Sequence, residues 1–240
     1  MKKMILCCLI ILNYYSGYSQ NKGIILIYNV KNEILGDSLI NGVSKKVIIQ
    51  KLIKDGTIPN DTVTCIYNKK GDYVSVSKYN GINYIDTYLS KDKLIYKIIA
   101  DLPIVKAIDV TIDLEEKLGN KPLVTLLEKK ETVNDYLCSV IEVKWKTGTY
   151  RYYYSDKILK IDYKIYENFN YDQWYNYLKI AGSLPIKIEK EINNLCKTTY
   201  IMNFNVEDSK IDNSIFKLPK MKLDKELSEL YPNKKIFIVK

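Results

Sequence analysis

Between Thr62 and Ile99 the sequence breaks into short apolar or alternating segments, each cut from the next by turn residues, and this rhythm leaves few folds open. Thr62 to Asn68 is followed by Lys69-Lys70-Gly71, Asp72 to Lys78 by Asn80-Gly81, and Ile82 to Leu89 by Ser90-Lys91-Asp92-Lys93, before Leu94 to Ile99. Asn-Gly is a strong hairpin signal, because a two-residue primed turn needs φ > 0 at both positions. Segments of this length joined by such turns predict a meander of antiparallel strands and a mainly β fold. Val74 and Val76 alternate with Ser75 and Ser77, which predicts one dry face and one wet face.

The same pattern predicts strands over Gly23 to Val30, Lys46 to Ile53, Leu123 to Lys130, Thr149 to Tyr154, Ile158 to Tyr166 and Leu184 to Glu191. Tyr136 to Lys146 carries Leu137, Ser139, Ile141, Val143 and Trp145 on one face, and Lys197 to Val206 carries Tyr200, Met202, Phe204 and Val206 on one face. Asp101 to Pro122 is less regular and holds a single predicted helical turn, Leu114 to Leu118, capped by Asp113 and ended by Gly119. One longer helix is expected: Asn170 as N-cap, Gln173 at the third helical position, Tyr171, Trp174, Tyr175 and Leu178 as one aromatic stripe, and Gly182 as the stop.

The first nineteen residues read as a secretory leader. Lys2 and Lys3 precede an apolar run from Met4 to Leu12, and Gly17 and Ser19 occupy the small positions of a cleavage site before Gln20. Cys7 and Cys8 sit inside the apolar run without the small residue that precedes a lipidated cysteine. The run is shorter than the roughly 20 residues a bilayer span takes, so no transmembrane span is expected after cleavage. The expected organisation is a signal peptide over 1–19, a single β domain over 20–219, and a tail over 220–240 with a short helix at Lys225 to Leu230 and a strand from Ile236. The product is expected to be exported, to the periplasm, the outer membrane or beyond.

Composition narrows the chemistry. The net charge is +9, yet Arg151 is the only arginine and the lysines are scattered as dyads, so the forked basic patches of nucleic-acid readers are missing. No nucleic-acid partner is expected. The sequence contains no histidine, which removes Ser-His-Asp, Cys-His and zinc-His chemistry and the usual general base near neutral pH. Cys65, Cys138 and Cys196 form no C-x-x-C pair, so no metal site is expected. Carboxylate-pair chemistry remains formally open, but no catalytic residue and no cofactor is assigned, and the chain reads as a non-enzyme.

In the C-terminal half the order of segments is distinctive. Asp135-Tyr136-Leu137-Cys138 opens a strand, a hairpin leads to Tyr150–Tyr154, and the aromatic helix follows. Gly182-Ser183-Leu184-Pro185-Ile186-Lys187-Ile188-Glu189, a strand with Thr198-Thr199, and Asp212-Asn213-Ser214-Ile215-Phe216-Lys217-Leu218-Pro219 complete it. Over Glu131 to Pro219 the chain resembles the exported LolA-like and LppX-like lipoprotein-carrier superfamily, nearest to secreted Bacteroidota branches related to the GLPGLI family. Asp135 stands where that pattern has glycine, and Ile186 where leucine is commoner.

The resemblance implies a strongly curved antiparallel sheet, an unclosed LolA-like half-barrel, with one or two helices across its concave face. It implies that Tyr171, Trp174, Tyr175 and Leu178 face inward rows containing Trp145, Met202 and Phe204. These residues are then either the wall of a pocket for a lipid or acyl chain or plain core. Cys138 and Cys196 are either a disulfide or buried apolar side chains. The expected function is an exported, non-enzymatic cell-envelope protein that binds a hydrophobic ligand. The alternative is a structural or protein-interaction module whose Ile236 to Val239 adds a strand to an envelope partner's edge.

Overall fold

The computed structural model describes residues 20–231 and 233–240, so the expected leader, with Cys7 and Cys8, lies outside the described residues. The N-terminal half runs β1 (Gln20–Ile34), β2 (Leu39–Ile40), β3 (Val43–Ser44), helix α1 (Lys45–Lys54), β4 (Thr62–Asn68), β5 (Tyr73–Tyr79), β6 (Ile82–Leu89), β7 (Leu94–Ile99) and β8 (Ile104–Asp109). A single helical turn, α2 (Leu114–Lys117), leads to β9 (Leu123–Val133), β10 (Tyr136–Lys144) and β11 (Gly148–Tyr154). Helix α3 (Trp174–Ala181), β12 (Lys187–Ile192), β13 (Cys196–Asp212), β14 (Met221–Asp224), α4 (Lys225–Glu229) and β15 (Lys234–Val239) complete the chain.

Thirteen strands form one antiparallel sheet in the order β14-β15-β8-β7-β6-β5-β4-β1-β13-β12-β11-β10-β9. The long pair β1·β13 joins the two meanders, and the sheet stays open between β14 and β9. It is strongly curved. On a flat sheet β6 and β11 would stand six strand spacings apart, about 29 Å. Yet Tyr88 of β6 packs on Phe169 with ring centroids 4.8 Å apart, and Tyr152 of β11 stacks on Tyr177 of α3 at 4.4 Å. One short segment, residues 163–181, therefore touches both limbs, and it lies in the concavity. α1 covers another part of that face: Ile49 and Ile53 pack with Ile58, Tyr79, Ile192 and Cys196 near the ends of β5, β12 and β13.

The turns expected from sequence form where the chemistry demands. Asn80 and Gly81 have φ of 49° and 83°, the primed geometry, and Gly182 closes α3 at φ 62° with its N–H donating to the Leu178 carbonyl. Asp113 accepts from the Glu116 N–H and caps α2.

Several expectations are corrected. Lys46 to Ile53 is not a strand but the body of α1, because Lys45, Ile49 and Ile53 repeat at helical spacing and form its buried side. Ile158 to Tyr166 does not continue the meander; it makes one isolated bridge, Lys160 to Ser183, and a 3-10 turn over Tyr163–Tyr166. Within the stretch expected to be irregular, Ile104–Asp109 pairs as β8. The residues expected as a tail belong to the sheet: β15 pairs with β8 on one side and β14 on the other, so Ile236 to Val239 present no free edge. Ser75 and Ser77, expected on the wet outside, point into the concavity, while Val74 and Val76 belong to a convex cluster closed by Ile211, Ile215 and Phe216.

Phe204 is displaced by a β-bulge. Met202 opposes Tyr28 and Phe204 opposes Ile27, so Asn203 is an extra residue and the side-chain alternation reverses across it. Met202 is buried in the inner core, and Phe204 is 52% exposed on the other face. The disulfide is also excluded. Cys138 lies on β10 and Cys196 on β13, three strand spacings or about 14 Å apart, beyond the reach of a bridge; both are free and buried, as is Cys65.

Candidate functional site

The curvature leaves a hollow of about 230 Å³ between the concave face and the segment above it. Four layers of side chains build its walls. β4 to β8 supply Val63, Cys65, Tyr67, Tyr73, Ser75, Ser77, Asp86, Ile95, Lys97 and Ile108. β1, β11, β12 and β13 supply Tyr28, Tyr152, Ile188, Lys190 and Tyr200. The roof is Phe169, Tyr171, Asp172 and Trp174, and Gly56, Thr57 and Pro59 beyond α1 close one end. Cross-strand register explains the alignment: Ser75 opposes both Cys65 and Asp86, and Asp86 opposes Lys97, so one inward row crosses four strands.

The hollow is apolar over much of its wall but charged at two places. Lys97 donates to Asp86 at 2.7 Å, and Lys190 donates to Asp172 at 2.9 Å. Lys190 also stands 4.6 Å above the ring of Tyr150. It lies deep in the protein, yet 30% of its side-chain surface stays accessible, because that surface faces the hollow. Burial opposes its charge, but the Asp172 carboxylate and the surrounding tyrosine oxygens outweigh that and hold its pKa well above the ordinary lysine value. The Asp172 carboxylate in turn raises Tyr150 and Tyr171, with burial adding to it. Burial, then the charge of Asp86, pushes the Cys65 thiol up to about 12.

The roof is strained. Asp172 and Gln173 are consecutive non-glycine residues at φ 55° and 54°, a conformation that costs about 1–3 kcal/mol per residue. Three contacts hold the turn: the Asp172–Lys190 pair, the Tyr152 hydroxyl donating to the Asp172 carbonyl at 3.2 Å, and the Gln173 amide donating to Asp113 at 3.1 Å. The same Asp113 oxygen accepts from the Trp145 indole N–H at 3.1 Å. The expected capping box therefore does not form. The Asn170 amide donates to the Thr111 carbonyl, Gln173 turns to Asp113, and regular helix begins only at Trp174.

Of the residues expected in the site, Tyr171 and Trp174 line the hollow. Leu178 and Met202 are core, buried at 0% and 4% exposure. Trp145 packs against Tyr150 at a ring distance of 4.7 Å and is anchored to Asp113, outside the lining. Tyr175 packs beside Tyr163, also outside it, and Phe204 is on the convex side. Tyr200, expected on the inward row of its strand, does line the hollow, whereas Asp86, Lys97, Asp172 and Lys190 were not among the expected site residues. A signal existed for three of them: Asp86 shares a face with Tyr84 and Tyr88, Lys97 with Ile95 and Ile99, and Lys190 with Ile188. A lone charge within an otherwise dry strand face marks a polar point in the interior.

Among the described residues no helix is long and apolar enough to cross a membrane, and no cluster of three or more cysteine, histidine, aspartate or glutamate side chains is arranged to hold a metal ion. No family model matches the sequence, and no curated protein matches it.

Proposed function

We propose that the chain is an exported, non-enzymatic envelope protein that holds one small lipid-like molecule in the hollow. The observation that carries this reading is the cavity of about 230 Å³ roofed by Tyr171 and Trp174 and walled by aromatic and aliphatic side chains. An apolar cavity of about 150 Å³ already admits benzene, and pockets for drug-sized ligands begin near 300 Å³. The size therefore fits a single chain or ring, not several acyl chains at once. The resemblance of Glu131 to Pro219 to the LolA-like carriers supports a ligand on the concave face, and the leader pattern over residues 1–19 supports export. The absence of histidine from the sequence favours binding over acid–base chemistry near neutral pH.

Native mass spectrometry of gently purified protein, followed by solvent extraction, tests this. A bound mass that extracts as a lipid-like molecule, and that Trp174→Ala loses more readily than Tyr175→Ala, is the expected result. Ligand-free protein that takes up no added medium-chain alcohol would refute it.

A further inference from the structure

The hollow has a surplus of hydrogen-bond donors. The Trp174 indole N–H is buried without a partner. Among the described residues nothing accepts from the hydroxyls of Tyr171 and Tyr200, which also line the cavity. The Lys190 ammonium has three N–H groups, of which Asp172 takes one. Both carboxylates of the lining are already engaged, Asp86 by Lys97 and Asp172 by Lys190. A buried donor such as the Trp174 N–H is unfavourable without a partner, so the ligand that fits best brings acceptors.

We propose that the hollow recognises an amphiphile with a carboxylate head, such as a medium-chain fatty acid, with Lys190 as the residue that binds the head; this rests on the hollow being a ligand site. The carboxylate would lie against the free N–H groups of Lys190, beside the Tyr171 and Tyr200 hydroxyls, and its chain would run between Ile188 on one limb of the sheet and Ile95 and Ile108 on the other.

Asp172 then acts as the resident counter-ion. It occupies the same lysine that the ligand head would take, and it sits on the strained turn that roofs the cavity. A ligand carboxylate competes with it for Lys190. Removing the Asp172 charge should therefore strengthen binding of an acid, the opposite of what loss of an ordinary binding residue does. Asn tolerates the left-handed conformation at least as well as Asp, and its side-chain oxygen can still accept from Lys190, so Asp172→Asn removes the charge while keeping a contact that holds the turn.

Calorimetric titration with decanoate and with decanol, each below its aggregation threshold, separates the possibilities. Wild-type protein should bind decanoate about tenfold or more tightly than decanol, about 1.4 kcal/mol. Lys190→Met should abolish that preference, and Asp172→Asn should widen it. Lys190→Met leaves Asp172 unpaired in the interior, so the double variant Lys190→Met/Asp172→Asn, which removes both charges, provides a second measure and should also show no preference. Equal affinity for acid and alcohol in the wild type overturns the head-group assignment while the hollow stands as a ligand site. Failure of both probes to bind overturns the hollow as a ligand site and the head-group assignment with it.

Discussion

Tyr177 lies flat on Tyr152, ring centroids 4.4 Å apart and planes 28° apart, and its hydroxyl donates to the Ser183 carbonyl at 2.8 Å. The pair fastens α3 to β11, and so sets the height of the roof over the hollow. Beside it Leu178 is fully buried. Tyr177→Phe keeps the stacking and orphans a buried carbonyl, which should cost about 1–3 kcal/mol. Leu178→Ala should cost about 2–5 kcal/mol. Urea unfolding checks both; a change below half a kilocalorie for either would mean that the helix is not seated on the sheet.

Gly148 should tolerate no side chain. A Cβ there would overlap the Glu191 carbonyl oxygen across the β11·β12 pair. The obstacle is backbone, so Gly148→Ala must open the ladder and should lose about 1–3 kcal/mol. Gly81→Ala, with open space around it, should lose only what its positive φ demands. Thermal melts of the two variants should rank in that order.

Glu189 and Lys187 make stability pH-dependent. Burial opposes the Glu189 charge, but the hydrogen bond and charge of Lys187, with the Tyr153 hydroxyl, outweigh it and lower its pKa. Its contribution is present above the unfolded value, about 4.3, and is lost as pH falls through the lower folded value. Burial also opposes the Lys187 charge, and Glu131 and Glu189 outweigh it and raise its pKa. That contribution is complete below about 10.4 and is lost as pH rises through the folded value. Melting temperature against pH should show a plateau between these limits, and Glu189→Gln should flatten the acid limb. An unchanged acid limb would contradict the role given to Glu189.

The cysteines should resist alkylation. Cys65, at about 12, carries almost no thiolate at pH 8, roughly a thousandfold less than a free cysteine. Burial raises Cys138 and Cys196 as well. Iodoacetamide should therefore label Cys65, Cys138 and Cys196 rapidly in denaturant and none of the three rapidly in the native protein. A rapid native reaction at Cys65 would show that the hollow opens widely.

The sheet was legible because its turns carry their own chemistry: Asn80-Gly81, Gly71 and Gly182 adopt the backbone their types require. The roof helix was legible from its aromatic spacing, but not its capped start, because the partners of Asn170 and Gln173 are Thr111 and Asp113, about sixty residues away. α1 was misread because a run of β-branched residues suits a strand locally, and only its burial at Ile49 and Ile53 decides for a helix. Phe204 was misplaced because alternation continues through a bulge in sequence but reverses in space. The charged points of the hollow are hard to read from sequence because Asp86, Lys97 and Lys190 are single exceptions within rows dominated by apolar and aromatic residues, and only the curvature brings them together.

The two tryptophans provide the most direct measurement, since Trp174 lines the hollow and Trp145 does not. Titration with a bromine-labelled medium-chain fatty acid should quench the fluorescence of the Trp145→Phe variant, which retains Trp174, saturably and strongly. It should quench the Trp174→Phe variant far less. Equal quenching in the two variants, or none that saturates in the first, would contradict a ligand held beneath Trp174.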